Sequence, residues 1–137
     1  MSALAERMAL ICATLAARCP ARIVTRSLLD FSLRQPADLK RGIYTLVSVG
    51  ESGFENLRER RAMDGTQRML LIGQIQLGEK ADPEEIEDAE FDMVEELKGF
   101  MRNLPPALIC LEMQGYRQSV QTDHPYGWIS ADLELHL

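Results

Sequence analysis

Acid–base chemistry in this chain would have to come from His124 and His136, its only histidines. A general base needs a nucleophile or an orienting carboxylate within hydrogen-bond reach. His124 follows Asp123 and opens the turn His124-Pro125-Tyr126-Gly127, while His136 lies on the polar side of an alternating segment that also carries Asp132. Neither histidine has a nucleophile assigned to it by spacing, so both read as turn-capping or solvent-facing groups. No Gly-rich phosphate loop, nucleophile elbow or zinc-ligand spacing occurs in the sequence. Glu84, Asp88, Asp92 and Glu95 share a face at helical spacing. A metal cage draws ligands from several elements, however, and a charged face along one helix is ordinarily solvated. Cys12, Cys19 and Cys110 are odd in number, lack CxxC spacing and sit in or beside apolar segments, which predicts buried free thiols. These residues call for no catalytic role, no cofactor and no metal.

Recognition chemistry is better represented. Ten of the 21 acidic residues fall between Glu79 and Glu96, against Lys80 alone, for a net charge of −9 in that stretch. From Arg18 to Arg68 ten basic and six acidic residues give +4. The overall −6 argues against nucleic acid as the main partner. Arg22, Arg26, Arg34, Lys40 and Arg41 could enlarge a basic patch, but no nucleic-acid-binding motif accompanies them, so no direct nucleic-acid readout is expected. Arg58, Arg60 and Arg61 form the densest basic cluster. It is either a solvated loop paired internally through Glu59, or an interaction arm in which Phe54 and Leu57 anchor and the arginines orient. In the second case Glu84, Glu87 and Asp88 of a neighbouring copy supply the matching charge. Tyr126 and Trp128 flank Gly127; exposed they would anchor an interface, buried they would cap a sheet.

The elements that must position these groups can be read from periodicity. A single domain spans residues 1–137, and at that length roughly two-thirds of the unfolded surface is buried. No apolar run reaches the ~18 residues of a membrane span, and no secretory leader pattern opens the chain, so a cytosolic site of synthesis and assembly is expected. Leu4, Met8, Ile11, Leu15 and Cys19 mark a first helix over 3–19, capped by Ser2 and stopped by Pro20. Ile23–Thr25 and Leu28–Leu33 read as irregular chain or edge strand. Ile43–Val49 is a β-branched strand, and Thr66–Leu77 is a second, joined by a long polar loop at about 50–65. Asp82, Pro83 and Glu85 predict an N-cap and capping box for a helix whose stripe runs through Ile86, Met93, Leu97, Phe100 and Leu104 to a stop at Pro105 and Pro106. Ala107–Gln118 and Trp128–Leu137 alternate as strands, the latter with Ile129, Ala131, Leu133, Leu135 and Leu137 on one face. The predicted fold class is α+β: an antiparallel or mixed β-sheet of about four to five strands with two main helices packed on one face.

The leading alanine-rich helix, followed by "RIVTRSLLDF" at 22–31, "RGIYTLVSVGE" at 41–51, "IGQIQLGEKADPEEIEDAEFDMVEELKGF" at 72–100 and "HPYGWISADLEL" at 124–135, resembles the small tail terminator (tail completion) proteins of long-tailed bacteriophages and prophages. The likeness runs through nearly the whole chain as an order of elements. It implies an α+β subunit of a hexameric ring that caps the tail tube, ends its polymerisation and meets the neck and head-completion proteins. The implied location is the virion, with assembly in the host cytoplasm, and the implied activity is structural, not enzymatic. Other readings of the same residues are another neck or tail-tube subunit of that fold, a small regulatory ligand-binding module, or an enzyme using His124 with Asp123 or Asp132.

Overall fold

A computed structural model describes residues 2–54, 56–57, 60–61 and 65–136, with the side chains of residues 55–64 outside that description. Helix α1 (Ala3–Arg18) starts where the Ser2 hydroxyl accepts from the Ala5 N–H at 3.1 Å. It ends ahead of Pro20, with the Cys19 N–H donating to the Leu15 carbonyl. Strand β1 (Ile23–Thr25) pairs in parallel with β2 (Ile43–Ser52), Ile23 opposite Ile43. A parallel pair needs a crossover. Residues 26–42 supply it through a 3₁₀ turn, Phe31–Leu33, and a short helix α2 (Pro36–Arg41). The sequence reading misses α2, although Pro36 at its first turn and Gly42 past its end, at φ 88°, are suitable start and stop residues.

Strand β2 runs three residues further than its apolar pattern, bulging between Ser48 and Gly50, and pairs with β5 (Thr66–Gln76) out to Ser52 opposite Thr66. Inside the expected loop, β3 (Asn56–Leu57) and β4 (Arg60–Arg61) form a two-stranded antiparallel ribbon. The connection is therefore an arm containing a small ribbon separate from the main sheet. Helix α3 (Pro83–Arg102) follows, then a 3₁₀ turn at Pro106–Leu108, β6 (Leu111–Gln118) and β7 (Tyr126–His136). The sheet order is β1-β2-β5-β7-β6, mixed because of β1 and antiparallel elsewhere. The fold is α+β.

Both long helices cover one face. Met8, Ile11 and Leu15 of α1 and Met93, Val94, Leu97 and Phe100 of α3 share a core with Tyr44, Leu46, Met69, Leu71, Ile129, Ala131, Leu133 and Leu135. The alternation read from β7 is the alternation seen there, with Leu137 outside the described residues. Residues 26–41 lie against the upper half of the other face. Leu39 is buried, the Gln74 amide donates to the Leu29 carbonyl at 3.0 Å, and Arg34 donates to the Thr45 hydroxyl at 3.2 Å. Ile43 and Thr45 are thus buried although they point away from the long helices.

Several boundaries differ from expectation. The Asp82 side chain caps nothing; its backbone carbonyl accepts from the N–H groups of Glu85 and Ile86 instead. Helix α3 ends at Arg102, yet Leu104 still packs on the core. Strand β6 begins at Leu111, because the prolines at 105 and 106 lead into a 3₁₀ turn that leaves Ile109 and Cys110 exposed. Only Cys19 of the three thiols is fully buried, and Cys12 is half-buried. No helix among the described residues is long and apolar enough to cross a membrane.

The inward face of α1 gives a direct check. Ile11 is fully buried and Leu10 is 41% exposed. Ile11→Ala lowers the unfolding free energy by about 2–5 kcal/mol, whereas Leu10→Ala shifts it by about 0.5 kcal/mol or less. Equal losses in urea denaturation would contradict the packing of α1.

Candidate functional site

The acidic face of α3 is not wholly solvated. Glu90 falls in the apolar stripe, four residues after Ile86 and three before Met93, and is 1% exposed. Its carboxylate accepts from the Ser119 hydroxyl, from the Trp128 N–H at 3.0 Å and from the Gln118 amide at 3.3 Å. A buried acceptor with this many donors is satisfied, and it ties α3 to both strands of the β6–β7 hairpin. Gly127 makes room for it: a Cβ there would lie 2.8 Å from Ile86 Cγ2 and 2.9 Å from Glu90 Oε2. The sequence carried this signal in the spacing of Glu90 within the stripe, masked by the surrounding acids.

A second clamp lies farther along α3. Arg22, just ahead of β1, grips Glu96 through Nε to Oε1 at 3.0 Å and Nη2 to Oε2 at 2.6 Å, and gives Nη1 to the Arg41 carbonyl at 2.8 Å. The Tyr44 hydroxyl, fully buried on β2, lies 3.1 Å from both the Met93 carbonyl and Glu96 Oε1. Burial and the charge of Glu96 push the Tyr44 phenol far above its ordinary 10. Burial and Glu96 likewise push the Cys19 thiol up, and burial alone raises Cys12 against the opposing charge of Arg26. Raised thiols hold little thiolate and are poor nucleophiles. The cluster joins the end of α1, β1, β2 and α3.

Several expected basic contributors are occupied in the same way. Arg41 donates to the Ala21 carbonyl and Arg34 to the Ser27 carbonyl, so with Arg22 they hold chain segments together. The histidines are also engaged: His124 Nε2 lies 2.6 Å from the Ala81 carbonyl, and His136 sits between Thr66 and Glu112 at 3.2 Å each. Tyr126 and Trp128 are half-buried on the face beneath residues 26–41. Tyr126 stacks on Phe31 with ring centroids 4.6 Å apart, and Trp128 Nε1 donates to Asp123 at 2.8 Å.

Among the described residues no three His, Cys, Asp or Glu side chains gather as a metal-binding group. Two open clefts, of about 450 and 340 Å³, flank β6 and the lower sheet face, and neither is lined by a histidine, cysteine or hydroxyl side chain. Glu84 and Asp88 are exposed, and Glu87 is half-exposed with the Gln121 amide at 3.1 Å. Phe54, at the root of the arm, is exposed. Arg58 lies outside the described residues, as do the side chains of Leu57, Arg60 and Arg61.

Sheet register fixes where the two charged regions lie. Thr66, beside the arm, pairs with His136, and Gln76 at the far end pairs with Tyr126. The first turns of α3 sit at the Tyr126 end, where Ile86 and Glu90 meet Gly127. Ten strand intervals put roughly 33 Å between the arm's root and the acidic start of α3.

The two clamps predict separable losses. Glu90→Ala leaves three donors unpaired and costs about 2–4 kcal/mol in denaturant unfolding, and Glu90→Gln, which keeps a carbonyl acceptor, costs less than half of that. Because the folded state holds the Tyr44 phenol protonated, stability is fully present below pH 10 and falls as pH rises beyond it, by about 1.4 kcal/mol per unit from this group. Tyr44→Phe removes that part of the alkaline slope; an unchanged slope contradicts the buried phenol. Compared with known proteins, the chain matches no family model and no curated sequence.

Proposed function

We propose that this chain is a virion structural protein that forms a ring on the end of a phage tail tube, ends tube polymerisation and joins the tail to the neck. The observation that carries the reading is that the root of the arginine-bearing arm and the acidic start of α3 lie at opposite ends of the sheet. The arm whose sequence carries Arg58, Arg60 and Arg61 is rooted at the Ser52–Thr66 end, and the helix start with Glu84, Glu87 and Asp88 lies at the Tyr126 end. Two different patches that complement each other only between copies make a heterologous contact, and a heterologous contact that closes makes a ring.

Three further points support it. Phe54, where the chain leaves β2 for the arm, is exposed and available as an apolar anchor. The inward carboxylates of α3 and the basic residues near β1 are used up in holding the fold, which leaves surface recognition as the remaining chemistry. The resemblance of the quoted segments to tail terminators supplies the ring's place, between the tail tube and the neck or head-completion proteins.

Charge reversal tests the contact. Arg58→Glu, Arg60→Glu and Arg61→Glu together abolish rings in negative-stain images of the purified protein, as do Glu84→Arg, Glu87→Arg and Asp88→Arg together. Mixing or combining the two sets restores them. Rings that survive either triple reversal contradict the assigned contact, and long stacked tubes in place of single rings favour a tube subunit over a terminator.

A further inference from the structure

Strand β6 ends the sheet, and no strand among the described residues lies beyond it, so its outer backbone groups have no sheet partner. Its sequence is matched about the Gln114–Gly115 bond. Counting outward, Met113 is matched by Tyr116 and Glu112 by Arg117; just past the strand's ends, Ile109 is matched by Val120. At these positions acid corresponds to base, and apolar to apolar or aromatic; between them Leu111, buried in the core, is matched by Gln118, and Cys110 by Ser119. Val120 at 78% and Ile109 at 70% exposure are the two most exposed large apolar residues among those described, and Tyr116 is also exposed. Arg117 has no ion-pair partner among the described residues.

The bulge decides whether this matching is usable. On a regular strand, residues five apart point to opposite faces, so Glu112 and Arg117 could not meet across a two-fold axis perpendicular to the sheet. Here β6 carries one extra residue between Met113 and Gly115 against β7. Glu112 pairs with Glu134 and Arg117 with Ser130, both on the face away from α1 and α3; Met113 pairs with Leu133 and Tyr116 with Ala131, both on the helix side. The extra residue therefore places each matched pair on a common face. Bulges often blunt an edge against pairing. This one makes the edge self-complementary.

We infer that β6 pairs antiparallel with β6 of a second copy of this chain, about a two-fold axis between Gln114 and Gly115. Glu112 of each copy then faces Arg117 of the other, Met113 faces Tyr116, and the exposed Ile109 and Val120 are brought together at both ends. Glu112 and Glu134 are direct neighbours in one chain, bridged by the His136 and Gln114 side chains, and Arg117 of the second copy adds a cation to that exposed cluster. The contact is isologous and uses neither the arm nor the acidic start of α3, so it stands apart from the ring reading.

Cysteine cross-linking tests the register. In a Cys110→Ser background, Glu112→Cys and Arg117→Cys are made separately, and the two proteins are mixed under mild oxidation. The mixture forms a disulfide-linked dimer. Either variant alone does not, because like positions stand roughly 13 Å apart along the strands, beyond disulfide reach. In light scattering of the otherwise native chain, Arg117→Glu weakens dimerisation roughly tenfold and Glu112→Arg with Arg117→Glu restores it. Equal cross-linking in the single-variant samples, no cross-linking in the mixture, or capture of a foreign strand on β6 without self-pairing overturns the inference. Reversing Glu84, Glu87 and Asp88 leaves the cross-link unchanged, which separates failure here from failure of the ring contact.

Discussion

Helix α3 can lie on the sheet only because two carboxylates in or beside its inward stripe find partners there. Glu90 and Glu96 would each carry a desolvation penalty of several kcal/mol if left unpaired. Glu90 is met by the β6–β7 hairpin through Ser119, Gln118 and the Trp128 N–H, and Glu96 by Arg22 and Tyr44. One helix thereby fixes the hairpin at one end of the sheet and the α1–β1–β2 corner farther along. Removing either acid would free a whole side of the molecule, whereas trimming an outward acid such as Asp88 touches no such node.

That arrangement separates structure from recognition. The carboxylates drawn inward hold the fold; those left outward, at Glu84, Glu87 and Asp88, concentrate negative charge at the end of the sheet opposite the arm. Burial raises the Tyr44 phenol and the Cys12 and Cys19 thiols, and both histidines are held in hydrogen bonds, while Cys110 and Tyr116 stand exposed. The β6 edge is a third surface, and the two-fold pairing proposed for it draws on residues separate from those of the proposed ring contact.

Much of the fold was legible in the residues because burial imposes simple periods. The alternation of β7 from Ile129 to Leu135 is found as read, the α1 stripe holds from Met8 onward while Leu4 is exposed, and the α3 stripe holds through Phe100 with Leu104 packing from beyond the helix. The failures share a cause. The segment 26–41 packs on a sheet face that no local pattern announces, so its turn and short helix looked like irregular chain. The arm's ribbon and the extension of β2 to Ser52 are polar, and their pairing is set by neighbours rather than by apolar spacing. Among site residues, Glu90 and Glu96 hid in a run of acids whose outward members dominate the count. Tyr126 and Trp128 turned on a choice between exposure and capping that only the stack on Phe31 and the bond to Asp123 could reveal.

The claim on which the account turns is that this chain acts by assembling with copies of itself. Light scattering of the purified full-length chain over a wide concentration range measures that directly. The account predicts the mass of six chains, or of twelve where two rings pair through β6. A mass that stays at one chain at every concentration contradicts it, and a mass that stops at two contradicts the ring while leaving the β6 pairing in place.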